Sequence, residues 1–507
     1  MASKWWTLLV VCLAIFMLLL DITIVNVALP SIQGDLGSSF EDLQWVVDAY
    51  ALALAALLLA SGSIADLLGR RRVFVAGLLL FVAASLLCGL AGSPTMLNVA
   101  RGLQGIGGAA MFATSLALIA QEFAPHERGT AFGIWGATTG FAVAVGPLVG
   151  GVLTDGLGWE WIFLVNVPIG LVTAAITVAR VPESERDPSS RIDWAGLVTF
   201  SAGLFCLVFA LIRGNDKGWT SAQILVLLAA AAVLMVVFAA VELRRSQPML
   251  DLRLFRKPAF TGAQIVAFTL HASMFSMFLY IVLYMQNVLG YTPLETGVRF
   301  LPISVLSFLA APVAGKLAER FPVRAFLGAG LLLVSIGLLL MSGIDPSDDW
   351  TTLLAGFLLA GVGIGFINPP LATAAIGVVE PRRAGAASGI NSTFRQVGTA
   401  VGIAGLGALL QSKVSDKLDA ALAGASLPRG AAAHIAEAVS SGGASAAAQA
   451  VPPQSRDLVS QAARSAFIEG FNEILVVAAV LAFVGAVLAL LMVRRRDFVT
   501  FPAEAAP

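Results

Sequence analysis

The sequence predicts an all-α polytopic membrane protein of fourteen transmembrane helices, arranged as two six-helix bundles with an inserted two-helix hairpin between them. Three observations carry that expectation. The 507 residues are 58% hydrophobic and 12% charged, with a mean hydropathy of +0.88. A soluble domain carries about 25% charged residues, so this chain has about half the charge that a water-facing surface needs. Apolar stretches of roughly 20 residues, enough to span a bilayer, recur along the whole chain. The second part of the chain also repeats features of the first. The 31 basic and 31 acidic residues balance, which removes the electrostatic case for a nucleic-acid partner. Cys12, Cys88 and Cys206 lie far apart in apolar runs and read as small buried hydrophobes, not as disulfides or metal ligands.

Gly, Pro and charge clusters divide the chain into its helices. The first stretch, 5–30, opens like a signal peptide after Lys4. Its apolar run outlasts the roughly 7–15 residues of such a segment and no small-x-small site follows, so it is read as helix 1. Helix 2 (43–63) ends at the glycine- and arginine-rich loop that precedes helix 3 (73–91). Helix 4 (95–121) opens after Pro94, helix 5 (129–153) after Arg128, and helix 6 (160–181) stops at Pro182. Helices 7 and 8 (192–212 and 220–243) flank a short polar loop and end at Arg244 and Arg245. The remaining helices are expected at 259–289, 295–318, 323–343, 350–378, 384–411 and 467–493. The Ala-, Ser- and Gly-rich loop 412–466 is read as external and at most weakly helical.

Basic residues orient the bundle. With the N-terminus inside, twenty-one of the 31 Lys and Arg residues fall in inner segments, and every inner loop contributes. The short outer loops hold only Arg213 and Lys217. The positive-inside rule then places both termini in the cytoplasm and the protein in the cytoplasmic (inner) membrane.

Loop comparison exposes the repeat. "PHERGTAFGI" (Pro125–Ile134) matches "PRRAGAASGI" (Pro381–Ile390) at proline, both glycines, an alanine and the isoleucine. The same offset pairs Gly146 with Gly402 and Gly151 with Gly407. "GSIADLLGRR" from Gly62 likewise resembles "GKLAERFPVR" from Gly315, with Asp66 opposite Glu319. Helices 1–6 therefore pair with 9–14, as in many transporters. The expected division is 1–182 for the N-terminal bundle, 183–258 for the inserted hairpin and its linkers, 259–493 for the C-terminal bundle, and 494–507 for a cytoplasmic tail.

Four motifs stand on this frame. "GSIADLLGRRRVF" (Gly62–Phe74) joins helices 2 and 3. Gly62 and Gly69 permit close approach and a tight turn, and Asp66 can sit at a helix N-terminus or pair with Arg70, Arg71 and Arg72. In helix 5, Gly136, Gly140, Ala144, Pro147 and Gly151 fall at helical spacing as a stripe that suits close helix packing, and Pro147 bends the helix. Helix 4 carries "LNVARGLQGIGGA" and helix 1 carries "LLLDITIVNVALP". Together these resemble the signature motifs of the major facilitator superfamily, in its fourteen-helix drug:proton antiporter branch, over nearly the whole chain. The resemblance implies the major facilitator fold. It makes the Asp66 loop a conformational latch docking near Ala384–Ser388, and Gly136, Gly146, Pro147, Gly150 and Gly151 an antiporter motif. It also gives the helix 4 arginine a part in proton transfer.

Charges inside the membrane need a reason, since one at a helix centre costs at least about 2.5–3.5 kcal/mol. Asp21 lies about 24 Å along helix 1 from Trp5 at 1.5 Å per residue, in the outer half of the bilayer core. Asp48 and Arg101 share that depth, so a mutual cluster of three charges facing the cavity is expected. Asp21–Arg101 reads either as a structural ion pair or as a proton site in which the arginine stays charged and resets the carboxylate. Asp48 reads as a second acid or as an interface residue. In the C-terminal half, His271 and Arg395 fall near the midplane. His271 reads as a satisfied core residue, as a substrate contact or as a protonation site. Phe275 and Tyr280 offer an aromatic wall that packs or meets lipophilic guests, and Asn26, His271, Phe275, Tyr280, Asn391 and Arg395 are the candidate substrate-cavity residues.

"GVGIGFINPP" lies within helix 12 with no strand before it, so it fails the context of a nucleotide loop, and there is no Walker A sequence. No cofactor, metal site or enzymatic constellation is expected. The reading is a proton-coupled exporter of small lipophilic or drug-like molecules working by alternating access. The alternatives are an exporter of lipids or lipophilic secondary metabolites, and a non-transporting membrane sensor or scaffold. The expected partners are the substrate, protons and the bilayer. A monomer is expected to suffice, with a periplasmic adaptor left open.

Overall fold

The computed structural model describes residues 3–38, 40–124, 127–184, 193–245, 248, 250–318, 320–379, 384–422 and 456–494. Fourteen helical stretches occupy them: α1 Ser3–Leu36, α2 Phe40–Leu68, α3 Arg70–Gly89, α4 Pro94–Glu122, α5 Arg128–Leu157 and α6 Trp161–Arg180, followed by α7 Trp194–Lys217 and α8 Ala222–Arg244. Then come α9 Pro258–Val288, α10 Pro293–Leu317, α11 Val323–Met341, α12 Thr351–Ile376, α13 Ala384–Leu422 and α14 Arg456–Met492. Thirteen of them hold an apolar window long enough to cross a membrane; in α5 only the shorter stretch Leu148–Leu157 qualifies among the described residues.

Local chemistry sets many of the boundaries. Ser93 and Ser221 accept hydrogen bonds from Met96 N and Ile224 N at the starts of α4 and α8, and Thr292 and Glu295 cap α10 reciprocally, as first-turn N–H groups require. Gly69 and Gly158 take φ of 107° and 105° at the ends of α2 and α5, conformations that side-chain-bearing residues rarely adopt. Several boundaries differ from the expected ones: α2 runs on to Leu68, so Gly62 and Asp66 lie within the helix and not in a loop, and α7 runs on to Lys217. α1 runs past Pro30 to Leu36, because in a low-dielectric surround the helix remains the backbone's best arrangement. The outer loop is shorter than 412–466, because α13 and α14 extend into it. Val414, Leu418, Val459 and Ala463 are fully buried there, and Lys413–Glu473 (3.1 Å) and Lys417–Glu469 (2.6 Å) bridge the pair. The i, i+4 spacing of the apolar residues makes this a helical hairpin. Residues 423–455 lie outside the described residues.

The halves meet through small residues at repeat-related places. A Cβ on Gly62 would strike the Gly385 carbonyl, and one on Gly315 would strike that of Gly129. Gly62 and Gly315 are counterparts in the repeat, as are Gly129 and Gly385, so α2–α13 and α5–α10 cross in the same manner. Glu319, the counterpart of Asp66, lies outside the described residues. Likewise Gly146 faces Thr23 of α1, and its counterpart Gly402 faces Ala272 of α9. The inserted hairpin packs on itself through Phe200 and Phe238, 5.0 Å between centroids, and on α2 through Phe209 and Trp45 at 5.7 Å. Enclosure separates the helices. The apolar window of α4 is 78% buried and that of α8 only 17%, so α8 turns its valines to lipid while α4 stands inside the bundle. Cys88 is buried, but Cys12 and Cys206 are half-buried, contrary to the reading of all three as core residues.

Candidate functional site

Asp21 is 1% exposed on α1. Its Oδ2 accepts a hydrogen bond from Arg101 Nη1 at 2.5 Å, and its Oδ1 accepts from Gln104 Nε2 at 2.8 Å and Asn166 Nδ2 at 3.5 Å. The charged pair is thus fixed on three sides by α4 and α6. Arg101 donates further to the Val46 carbonyl (2.8 Å) and to Gln104 Oε1 (2.6 Å), and its guanidinium lies 4.3 Å from the Tyr50 ring centroid. Gln104 passes a bond on to Ser85 Oγ at 2.9 Å. Apart from a carboxylate's affinity for an arginine, this is a polar network in an apolar bundle, where unsatisfied groups are costly and satisfied ones rigidify. Gln104 and Asn166 did not stand out in the sequence. Gln104 was legible as the residue one turn after Arg101, at i+3 on the same face.

Asp48 does not complete the expected three-charge cluster. It pairs with Arg213 of α7 at 3.8 Å. Arg213 also donates to Gln44 Oε1 at 2.6 Å and lies 5.2 Å from the Trp45 ring centroid. Equal depth brings Asp48 level with Asp21, but the inserted hairpin supplies a cation on the other side of α2. That cation could not be assigned to Asp48 from spacing.

At the arginine-rich end, Asp66 leaves α2 and crosses to the other half. Its Oδ1 accepts from Gly385 N at 3.0 Å and its Oδ2 from Ala386 N at 2.9 Å. These are first-turn amides of α13, which carry the positive end of the helix dipole. Arg70 holds the same carboxylate through Nε and Nη2 at 3.0 and 2.9 Å. Arg71 and Arg72 do not join it; both lie 3.7 Å from Glu183. Glu183, absent from the sequence reading, also accepts from Arg71 N and Arg72 N at 3.0 and 3.2 Å, and so caps α3. Gly69 gives the chain room for it, since a Cβ there would come within 2.6 Å of Glu183 Oε1.

The glycine stripe of α5 serves three neighbouring helices instead of one. Gly136 and Gly140 face Asn368 of α12 and Ser307 of α10, while Gly146 and Gly150 face Thr23 and Ile24 of α1. At 3.6 residues per turn, the ten residues from 136 to 146 turn the helix by about 1000°, some 80° short of three full turns, which moves the contact to another helix. Gly151 faces nothing within 4 Å. The side chain of Pro147 lies outside the described residues, as does that of Asn26.

In the other half, Arg395 (3% exposed) donates from Nε to Asn391 Oδ1 at 3.0 Å and from Nη1 to Asn368 Oδ1 at 3.4 Å. Asn391 is held by its own bond to Gln264 Oε1 at 3.2 Å. The guanidinium carbon lies 5.5 Å from the ring centroid of Trp135 on α5. His271 stacks on Phe275 with centroids 4.3 Å apart, and its Nδ1 is 3.0 Å from the Ala267 carbonyl oxygen. That segment, His271–Phe275, is a π-helical turn, a feature with no local sequence signal and one that frequently marks functional sites. Tyr280 donates to the Ile403 carbonyl at 2.6 Å, which ties α9 to α13.

Comparison with known proteins follows the same lines. The family model described as Major Facilitator Superfamily matches residues 11–403. The chain is 39% identical over 414 residues to Multidrug resistance protein Stp of Mycobacterium tuberculosis (strain CDC 1551 / Oshkosh), covering 82% of this chain and 77% of the relative. It is 34% identical over 490 residues to the Tetracenomycin C resistance and export protein of Streptomyces glaucescens, covering 96% and 91%. Among solved structures, the proton:xylose symporter XylE superposes with a TM-score of 0.64 at 13% identity, covering 97% of this chain and 96% of that one. At that identity the likeness is one of fold.

Proposed function

Because this chain belongs to the Major Facilitator Superfamily, and is therefore a multi-pass membrane transporter and not an enzyme, we propose that it exports small lipophilic or drug-like molecules in exchange for protons. The names of its relatives support the efflux direction. The observation that carries proton coupling is Asp21, a buried carboxylate whose two oxygens are held by Arg101, Gln104 and Asn166. Protonating it removes the charge that pairs with Arg101. The guanidinium keeps its bonds to Val46 and Gln104, so the network survives the change and can be reset.

The bundles 1–182 and 259–493 rock against each other, with the hairpin of 183–258 carried beside α2. Asp66 on the first turn of α13 latches the cytoplasmic side shut. Gly146 and Gly150 let α5 lie close on α1, and so set the helix that bears Asp21. Substrate sits between the halves near Asn391, Arg395, His271 and Phe275. The protein lies in the cytoplasmic membrane with both termini inside, and one chain suffices because a single chain supplies both walls of the pathway.

The test uses inverted membrane vesicles with an imposed pH gradient, comparing wild type with Asp21→Asn. Tetracenomycin C and a panel of lipophilic dyes are the probes. Gradient-driven uptake should be lost in the variant while probe binding is retained. Uptake that still tracks the gradient as in wild type rules out Asp21 as the proton carrier.

A further inference from the structure

Arg101 in the N-terminal half and Arg395 in the C-terminal half are both buried guanidiniums, yet they are neutralised differently. Arg101 has the Asp21 carboxylate at 2.5 Å. Arg395 has, among the described residues, only the neutral amide oxygens of Asn391 and Asn368. A guanidinium offers five N–H donors, and among the described residues Arg395 Nη2 has no hydrogen-bond partner. Beside it, Trp135 is fully buried and its Nε1 is likewise without a partner. A buried cation without a counter-charge is a costly arrangement, and each buried donor left unbonded adds to it. Two orphan donors on neighbouring side chains, one charged, are complementary to an anion.

The position supports a ligand more than a structural ion. Trp135 stands on α5 and Arg395 on α13, so the pair straddles the two halves at a place where separation exposes both. The amides are oriented in advance: Gln264 fixes Asn391, which presents its carbonyl oxygen to Arg395 Nε. This leaves Nη2 as the group free to receive a guest. The indole face offers an apolar platform beside the charge, suited to a planar or aromatic body.

We infer that Arg395 and Trp135 form an acceptor site for an acidic group, and that the exported molecules include aromatic organic anions whose carboxylate or comparable head bonds Arg395 Nη2. This rests on the transport reading above and names the substrate chemistry within it. A membrane lipid phosphate presents similar chemistry. The apolar indole beside the guanidinium favours an aromatic acid over a headgroup.

The experiment measures binding to the purified full-length protein in nanodiscs, with 2-naphthalenesulfonate and its neutral sulfonamide as a matched pair of probes. Wild type should prefer the anion by about tenfold or more, the range expected for a charge-assisted hydrogen bond. Arg395→Gln should reduce that preference to near unity, and Arg395→Lys should keep part of it. Trp135→Phe, which removes only the indole N–H and part of the platform, should lower anion affinity and leave the sulfonamide nearly unaffected, giving a readout if Arg395→Gln does not fold. Asp21→Asn should keep the full preference, so failure of proton coupling and failure of this site are told apart. Equal affinity for both probes in wild type, or an unchanged ratio in Arg395→Gln and Trp135→Phe, overturns the inference. So does loss of the preference when phosphatidylglycerol replaces phosphatidylcholine with competitive behaviour, since that assigns the site to a headgroup.

Discussion

Replacing Asp66 by alanine should shift the protein toward a state open at its arginine-rich end. Asp66 makes two hydrogen bonds across the halves, to Gly385 N at 3.0 Å and Ala386 N at 2.9 Å. Hydrogen bonds to a charged partner contribute about 1.5–3 kcal/mol each, so the pair sets an upper range of about 3–6 kcal/mol. Two corrections lower it. The carboxylate is 12% exposed, and on opening, both it and the freed amides of α13 gain water. Arg70 pairs with the carboxylate from the same half, so it moves with Asp66 on opening and contributes little to the difference. About 2–4 kcal/mol remains, which at 1.4 kcal/mol per decade is roughly a thirtyfold to thousandfold change in the open-to-closed ratio. Spin labels at Arg180 on the N-terminal half and Lys316 on the other report that ratio by pulsed electron resonance in nanodiscs. Asp66→Asn, which retains an acceptor oxygen but no charge, should fall between wild type and alanine. A ratio that moves less than about threefold in Asp66→Ala refutes the assignment of the closing energy to this carboxylate.

Further outcomes test the packing and the hairpin. Gly146→Ala should cost about 1–3 kcal/mol of stability, an overpacking effect, because the new Cβ collides with Thr23. Gly151→Ala, five residues on and facing nothing within 4 Å among the described residues, should be nearly neutral. Thermal unfolding in matched detergent separates them, and equal losses would mean that α5 does not contact α1 at Gly146. Arg213→Ala should loosen the hairpin from α2, since it removes the ion pair to Asp48, the bond to Gln44 and the stacking on Trp45. A double-mutant cycle with Asp48→Asn should give a coupling of about 0.5–3 kcal/mol, and additive effects would place Asp48's functional partner elsewhere.

The helices were legible because the physics that makes them is local. A stretch such as 220–243 has no other way to satisfy its backbone in lipid, and Ser221 and Arg244 mark its ends. Boundaries slipped where a local rule met a stronger demand, as at Pro30 within α1, or where a polar composition concealed a helix, as from Ser412 to Leu422. The candidate site was legible in its chemistry and illegible in its partners. Asp21 and Arg101 were level by depth along their helices, and so was Asp48. Nothing within reach of helical periodicity says that Asp48 turns to a helix outside the six-helix bundle. The neutral members of the Asp21 network were harder still, because Asn166 differs from its neighbours only by being polar.

By itself the sequence determined that this chain lives in a bilayer, that it is built of long helices in two related halves, and that it places a few ionisable groups where hydrocarbon would otherwise be. Composition, periodicity and loop motifs are properties of short stretches, and each has a cost or benefit that can be counted locally. The tertiary structure decided which charge answers which. Asp66 reaches an amide 319 residues away, Asp21 an arginine 80 residues away, and Arg213 a glutamine 169 residues away. Among the described residues Arg395 meets amides where Arg101 meets a carboxylate. Those assignments depend on which helix faces abut in the packed bundle. In a low-dielectric interior, the identity of the neighbour decides whether a buried charge is a strut, a proton carrier or a receptor for a guest.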